Sequence, residues 1–188
     1  MKKLLSLTFL LFSTLLFAQK PCEYSANVSD SIGTFKETRD YIMSEKHFGS
    51  SSSYIFFALQ STDGMPSLKV QVIQKSKDFI SVNCFDKSSR IVLQLTNGKI
   101  VTFLHLDQEN CGTLIHTQDQ TSNRVTTGNF VFMKGSIEDL KSAPISIMRI
   151  KYLTGTDDYV VKQELVSEMD GKLYEPGSYF QNYLKCIE

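Results

Sequence analysis

Apolar and polar positions follow each other in patterns that predict a chain made mainly of β-strands. Residues 54–59 are almost wholly apolar and predict a central strand covered on both faces. In residues 68–72, apolar positions alternate with polar ones, which predicts a strand with one wet face. Residues 63–66 read Asp-Gly-Met-Pro and are typical of a turn. We therefore expect the two strands to form a hairpin.

A second hairpin is predicted within residues 90–106. Asn97-Gly98 is a preferred pair for a two-residue type I′ turn, in which both residues have positive φ. Folding about this turn gives a definite register. It pairs Leu95 with Ile100, Leu93 with Thr102 and Ile91 with Leu104 on one face. Val92, Val101 and Phe103 then share the other face, so we expect the hairpin to be covered on both sides.

Further strand patterns follow the same logic. Residues 34–43 fit a helix or a strand, and their threonine and tyrosine content favours the strand. Residues 47–53, with one glycine and four serines, are interpreted as a flexible loop. Residues 154–157 are interpreted as a turn between two of the remaining strands. The remaining predicted strands are residues 79–85, 125–133, 145–153 and 159–166.

Two short helices are predicted from capping patterns. Residues 136–139 and 178–181 each resemble a capping box, and the first helix has to end before Pro144. The second helix carries one apolar stripe, formed by Phe180, Tyr183, Leu184 and Ile187. The expected fold is all-β: an antiparallel sandwich or partly open barrel with a short internal helix and a C-terminal helix.

The first 18 residues are interpreted as a secretory signal peptide. Lys2 and Lys3 precede a 14-residue apolar run at positions 4–17, and Ala18 provides a small residue for cleavage. A membrane anchor is the alternative, but a spanning helix needs about 20 residues. Three residues separate the expected cleavage site from Cys22, which argues against a lipoprotein. We expect residues 19–188 to form a single β-rich domain without a transmembrane segment.

The charge of the mature chain narrows the class of partner. The whole chain has 20 basic and 20 acidic residues, so removing Lys2 and Lys3 leaves 18 against 20, a formal net charge of −2. A near-neutral chain with scattered charges argues against a nucleic-acid-binding protein and against a protein that binds membrane surfaces through a polybasic segment. A periplasmic or secreted location is expected.

All four cysteines lie in the mature chain, and an even number in an exported protein favours disulfide bonds. Three pairings are possible. We favour Cys22 with Cys186, which ties the two ends of the domain together, and Cys84 with Cys111. The alternative is that some of these cysteines are buried thiols.

Candidate chemistry is sparse. His105, Cys111 and His116 are the one cluster that resembles metal ligands, but their spacing fits no recognised site, so we expect no metal and no other cofactor. The chain has neither a Gly-x-Ser-x-Gly nor a Ser-x-x-Lys motif, and we assign no catalytic residue. A triad assembled only in space remains an alternative.

Among the residue types that could bind a ligand, only aromatic residues are mildly enriched, and they cluster near the C-terminus. Tyr174, Tyr179 and Phe180 lie beside Pro176-Gly177 and are candidates to line a groove for a glycan or an apolar ligand. The alternative interpretation is that they form the packing face of the C-terminal helix.

Several short motifs resemble a group of small, mostly uncharacterised exported proteins of Bacteroidota bacteria. They are Leu-Phe-Ala-Gln at 16–19, a cysteine near the mature start, Asp-Ser-Ile-Gly-Thr at 30–34, Ile-Glu-Asp-Leu at 137–140, residues 144–150 and Leu-Lys-Cys-Ile at 184–187. The resemblance covers the mature chain and implies an envelope location and a β-rich fold. It implies no reaction and no catalytic residue.

These observations favour a non-enzymatic envelope protein that binds a small ligand or a protein partner, with binding groups on loops of a β scaffold. Two other classes stay open. One is a hydrolase that acts on envelope or imported polymers, and the other is a structural or inhibitor-like module that pairs through a strand edge.

Overall fold

The computed structural model describes residues 20–106 and 108–188, so the predicted signal peptide lies outside the described residues. The described chain forms thirteen strands, two α-helices and two 3-10 turns at Pro176–Ser178 and Leu184–Cys186. The helices are α1 (Ser136–Ser142) and α2 (Tyr179–Tyr183). The strands are β1 (Tyr24–Ser29), β2 (Thr34–Thr38), β3 (Tyr41–Phe48), β4 (Ser51–Thr62), β5 (Met65–Ser76), β6 (Arg90–Leu95), β7 (Ile100–His105), β8 (Thr113–His116), β9 (Ser122–Phe132), β10 (Ile145–Lys151), β11 (Thr156–Val160), β12 (Leu165–Val166) and β13 (Leu173–Tyr174).

Eleven of these strands form one antiparallel sheet in the order β1-β2-β4-β5-β9-β7-β6-β10-β11. Strand β3 continues the line of β2 along β4, and β8 continues the line of β7 along β9. Strands β12 and β13 form a separate two-stranded sheet. The predicted all-β class with a short internal helix and a C-terminal helix is confirmed, and the large sheet stays open rather than closing into a barrel.

The main core lies against the inward face of β4 and β5. Leu68, Val70 and Val72 are buried, whereas Lys69 and Gln71 between them are partly exposed, as the alternating pattern predicts. Strand β4 is buried on both faces, because Tyr54 and Phe56 on its outer side pack in a second cluster with Ile42 and Leu165. The predicted central strand is therefore confirmed.

The two glycine turns differ from each other in a way that sets strand register. Asp63 and Gly64 both have positive φ, at 50° and 79°, and they join β4 to β5 as a two-residue type I′ turn. At the second turn only Gly98 has positive φ, and the Leu95 N–H donates to the Lys99 carbonyl at 2.9 Å. The loop between β6 and β7 therefore has three residues, and the predicted type I′ turn there is wrong.

Contacts with the α1 region explain this longer loop. The Thr96 N–H donates to the Pro144 carbonyl at 2.8 Å, and the Asn97 amide donates to Ser142 at 3.2 Å. The register slips by one residue, so Leu93 pairs with Val101 and not with Thr102. Consequently one face of the hairpin is buried and the other is partly solvated, and the expected coverage on both sides is wrong. The inward residues are Ile91, Leu93, Leu95, Val101, Phe103 and His105.

Other strand predictions need smaller corrections. Residues 34–43 form strands β2 and β3, as expected, with a break at residues 39–40. Residues 47–53 are a tight hairpin between β3 and β4 rather than a flexible loop, because Phe48 pairs with Ser51. Residues 79–85 form no continuous strand; Phe79 is 90% exposed, and Phe85 makes only an isolated bridge to Asn110.

The last predicted hairpin is shorter than expected. Strand β10 ends at Lys151 and β11 runs from Thr156 to Val160, so the turn falls at residues 152–155. The chain then leaves this sheet, and residues 165–166 form β12 of the small sheet. Residues 159–166 are therefore not one strand.

Both predicted helices are present, but neither begins with a side-chain cap. The N-cap of α1 is Gly135 rather than Ser136, and the N-cap of α2, Ser178, makes no capping hydrogen bond. The C-terminal stripe packs as predicted, with Phe180 and Leu184 each 1% exposed in the main core.

Both favoured disulfide bonds are present. Cys22–Cys186 joins residues 164 apart and fixes the C-terminal segment to the start of the domain, and Cys84–Cys111 joins residues 27 apart. Loop-closure entropy gives about 5 kcal/mol of stabilisation for the long loop and about 3.5 kcal/mol for the short one.

Gly128 in β9 is the point of closest packing against the buried His105 ring. A Cβ atom at Gly128 would lie 2.8 Å from His105 Nε2 and 2.9 Å from the Phe85 ring. We predict that Gly128→Ala lowers the free energy of unfolding by about 1–3 kcal/mol, because the added methyl group overpacks the core. Denaturant unfolding measures the change.

Gly155→Ala is the matched control, since nothing lies within 4 Å of a Cβ atom at that turn position. Equal stability changes in the two variants would show that this part of the core is looser than described.

Candidate functional site

A cleft of about 400 Å³ opens where β2 gives way to β3 at the edge of the sheet. Three other parts of the chain complete it: the N-terminal segment at residues 20–23, the β12–β13 hairpin and α2. We call it the tyrosine cleft, because four of its lining residues are Tyr41, Tyr174, Tyr179 and Tyr183.

The other three rings pack around that of Tyr41. Its ring centroid lies 5.0 Å from that of Tyr174 in an edge-to-face arrangement, and 5.1 Å and 5.2 Å from those of Tyr179 and Tyr183. Such separations are typical of favourable aromatic pairs, each worth about 0.5–1.5 kcal/mol beyond burial. The cluster therefore presents a stable, preformed aromatic wall.

Hydrogen bonds fix two of the hydroxyl groups. The Glu175 backbone N–H donates to the Tyr41 oxygen at 2.6 Å, and the Tyr174 hydroxyl donates to an Asp170 carboxylate oxygen at 2.7 Å. Burial raises the pKa of Tyr41, Tyr174, Tyr179 and Tyr183 above the ordinary value of 10.0. These hydroxyls are thus neutral throughout the physiological pH range.

The charged groups at the rim of the tyrosine cleft are already paired. Lys20 and Glu175 are 2.6 Å apart, Arg39 and Glu23 are 3.6 Å apart, and Lys172 and Asp170 are 3.8 Å apart. The ammonium group of Lys20 lowers the pKa of Glu175 below its usual value. Charge is therefore balanced around the opening.

Asp40, at the corner between β2 and β3, belongs to a partly buried pair network. Lys69 lies 3.1 Å from Asp40 and 2.6 Å from Glu37. Burial alone would raise the pKa of Glu37, but hydrogen bonds from Lys69, Gln60 and Ser25 outweigh it and lower that pKa. The network holds the corner of the chain in place beside Tyr41.

The structure divides the aromatic residues that the sequence singled out. Tyr174 and Tyr179 line the tyrosine cleft, whereas Phe180 points into the main core, with its ring 5.8 Å from Phe103. Sequence reasoning missed Tyr41, which is 133 residues away from Tyr174. Tyr183 was assigned to the packing stripe alone, although its place one helical turn after Tyr179 indicates a shared face.

The three candidate metal ligands do not form a site. His105 is buried on β7 against Phe85 and Phe130, whereas His116 is exposed on β8. Among the described residues, one group of three ligating side chains lies close together: Cys84, Glu109 and Cys111. Its two sulfur atoms are joined in a disulfide bond, so they offer no thiolate to a metal ion.

A chain of hydrogen-bonding side chains crosses the β3–β4 hairpin, where we expected a flexible loop. Ser52 Oγ lies 2.9 Å from His47 Nδ1, and His47 Nε2 lies 2.8 Å from Glu45 Oε1. The Glu45 side chain is only 3% exposed, and its Oε2 has no hydrogen-bond partner in the described part of the chain. This serine–histidine–carboxylate order is the order of groups that activates a serine nucleophile.

Cross-strand register produces this arrangement. His47 pairs directly with Ser52, and Glu45 lies two residues before His47, so their side chains share one face of the hairpin. No sequence motif indicates this arrangement, because the contact depends on strand pairing across a two-residue hairpin turn.

Comparisons of this chain with protein-family models, with curated proteins and with solved structures find no match. No helix in the described ranges has the length and apolar character needed to cross a membrane.

The tyrosine cleft predicts a loss of stability at alkaline pH. The folded-state pKa values of its hydroxyls are raised, so the folded chain keeps protons that the unfolded chain releases at about pH 10. The contribution of these hydroxyls to stability is therefore constant below about pH 10 and falls as the pH rises above it. Tyrosinate absorbance and denaturant unfolding, measured over the same pH range, test this.

Tyr183→Phe removes one of these hydroxyls and should make the alkaline loss of stability less steep. If all eight tyrosines titrate at their ordinary pKa while the fold stays intact, the cluster is more open to water than described.

Proposed function

We propose that this chain is an exported, non-enzymatic binding protein whose tyrosine cleft takes a short neutral oligosaccharide. The observation that carries this proposal is the convergence of four tyrosine rings from three separate parts of the fold around one open cleft. Its volume of about 400 Å³ lies in the range of small-molecule sites.

The chemistry of the lining favours a neutral, hydroxylated ligand. Tyrosine rings supply flat apolar faces, and their hydroxyl groups supply polar edges. The nearby cations and carboxylates are paired with one another, so a charged ligand would have to break an ion pair to gain one. A sugar, with apolar ring faces and many hydroxyls, needs no such exchange.

Export is supported by the two disulfide bonds, since such bonds persist in oxidising compartments. The periplasm or the extracellular space is the compartment that we propose. The predicted signal peptide at residues 1–18 is in keeping with it.

The first test of this proposal is calorimetric titration of the mature protein with cellobiose, chitobiose and maltose. We expect at least one of them to bind, and we expect Tyr174→Ala to weaken that binding about two- to tenfold through loss of a ring face.

Tyr24→Ala is the matched control, because Tyr24 is partly exposed and directly follows the lining segment at residues 20–23, but is not itself part of the cleft lining. Lack of binding by all three disaccharides, with the fold intact, would contradict the proposed ligand class. Equal effects of the two substitutions would contradict the proposed site.

The Ser52–His47–Glu45 arrangement favours a second candidate function, acyl hydrolysis. In this reaction Ser52 Oγ would attack an ester carbonyl carbon while its proton passes to His47 Nδ1, and that proton would then go to the leaving alcohol. Water would release the acyl group from Ser52 by the same route. The buried Glu45 carboxylate would hold the imidazole and stabilise its protonated form.

A fluorophosphonate probe separates this candidate from simple binding, since it labels activated serines. Hydrolysis predicts labelling of Ser52 that is lost in Ser52→Ala and reduced about a hundredfold or more in His47→Gln. Ser51→Ala, one residue away and facing the other side of the strand, should label normally. Absence of labelling at Ser52 would remove hydrolysis from consideration.

A further inference from the structure

The inward face of the sheet changes from apolar to polar near one end of its longest strands. Lys46 on β3 pairs with Ser53 on β4, and Ser53 pairs with Gln74 on β5. This row lies one inward position beyond the buried pair Ile55–Val72. Three polar side chains therefore occupy positions that are apolar in the neighbouring layer of the core.

The β10–β11 hairpin supplies the opposite wall. Tyr152 and Tyr159 are 1% and 8% exposed, and the Lys46 ammonium nitrogen lies 4.3 Å from the centre of the Tyr159 ring. Together with Asn83 and Asp157 these residues enclose a cleft of about 250 Å³, which we call the mouth cleft. It is distinct from the tyrosine cleft, with which it shares no lining residue.

Several polar groups of the mouth cleft are not engaged elsewhere. Within residues 20–106 and 108–188, no ion pair within 4.0 Å involves the Lys46 ammonium group, and no hydrogen bond involves the side-chain amides of Gln74 and Asn83. Lys46 is exposed, whereas Gln74 and Asn83 are partly buried, and partly buried polar groups without protein partners need water or a ligand to satisfy them. The mouth cleft therefore offers a cation and two amides to an incoming group.

Tyr159 contacts a positive charge at its ring face and a negative charge at its hydroxyl group. The Lys46 ammonium is over its ring face, and its hydroxyl donates to an Asp157 carboxylate oxygen at 3.4 Å. The neighbouring Asp158 is held by two hydrogen bonds from Arg149, at 2.6 Å and 2.7 Å. Of the two carboxylates, Asp157 is thus the one available to a ligand in this cleft.

The Tyr159 hydroxyl donates to Asp157, and the buried Tyr152 hydroxyl has no hydrogen-bond partner in the described part of the chain. Burial, together with the charge of Asp157, raises the pKa of Tyr159 to about 12 and raises that of Tyr152 beyond its usual range. Both groups therefore stay protonated at neutral pH.

We propose that the mouth cleft binds a small carboxylic acid that also carries a hydrogen-bond donor on the adjacent carbon, the chemistry shared by α-amino acids and α-hydroxy acids. The ligand carboxylate lies against Lys46 and the amides of Gln74 and Asn83. Its ammonium or hydroxyl group donates to Asp157. The mouth cleft has a volume of about 250 Å³. At about 30 Å³ for each water-sized atom, it accommodates on the order of eight non-hydrogen atoms.

The experiment is a titration of the isotope-labelled mature protein with L-alanine, L-lactate, propionate and methylammonium, followed by amide chemical shifts. We expect L-alanine or L-lactate to shift amides of residues 46, 53, 74, 83 and 152–159, and which of the two binds tighter identifies the source. Propionate lacks the donor and methylammonium lacks the carboxylate, so both should bind at least about tenfold more weakly.

Lys46→Met keeps the length of the side chain and removes its charge, and it should weaken the binding about ten- to hundredfold. Lys151→Met, on the exposed face of β10, is the matched control and should leave the affinity unchanged. Asp157→Asn should weaken L-alanine while leaving propionate unaffected.

Three outcomes would overturn the proposal. They are no shift at the mouth cleft with either L-alanine or L-lactate, equal affinity in Lys46→Met and the unsubstituted protein, and propionate binding as tightly as the tighter-binding of L-alanine and L-lactate. Because the tyrosine cleft lies elsewhere, disaccharide binding there neither supports nor weakens this result.

Discussion

The alternation of side chains along three long central strands is the constraint on which the rest of the fold depends. Strands β4, β5 and β9 have 12, 12 and 11 residues, and at about 3.3 Å per residue they extend for roughly 40 Å. The buried apolar residues on the inward face of β4 and β5 occupy only residues 55–59 and 68–72. The strands are therefore longer than the apolar layer they carry, and polar residues occupy the positions beyond it.

The two clefts arise at different places along these strands. At one place β2 stops and β3 begins along the same neighbour, β4, and the break at residues 39–40 leaves room that Tyr41 and the C-terminal helix line. At the other, the inward row turns polar and the β10–β11 hairpin leans over it. The short helix α2 shows how closely core and site are joined. Its neighbouring residues Tyr179 and Phe180 are both buried, but only Tyr179 lines a cleft.

Much of this fold is visible in the sequence, and the failures have physical causes. Strand patterns, the strand choice for residues 34–43 and the C-terminal stripe were predictable from local patterning, and the presence of disulfide bonds from the cysteine count. The favoured pairing, which the structure has, was one of three that the cysteine count allows. The turn at Asn97-Gly98 was not, because tertiary hydrogen bonds to Pro144 and Ser142 select a three-residue loop there. The dipeptide that does form the type I′ turn is Asp63-Gly64. A preferred turn pair thus indicates a hairpin more reliably than it indicates register.

The candidate sites were hidden for a related reason. Tyr41 meets Tyr174 only because β13 packs near β3, and Lys46 meets Tyr159 only because the sheet curves until β11 faces β3 across the mouth cleft. No local pattern encodes a contact between residues more than 100 positions apart. What the sequence does show is a surplus of inward-facing polar residues at strand ends, which is informative once the register is known.

The two clefts differ in whether their charges are already paired, and this difference determines how each would recognise a ligand. Around the tyrosine cleft, Lys20, Arg39 and Lys172 each have a carboxylate partner, so shape and ring contact are left to discriminate among ligands. In the mouth cleft, Lys46 faces an aromatic ring, whose attraction for a cation at an exposed site is about 0.5–1 kcal/mol. A ligand carboxylate would make a stronger, charge-assisted contact with the same ammonium group. The sheet therefore presents one site suited to neutral ligands and one suited to charged ligands.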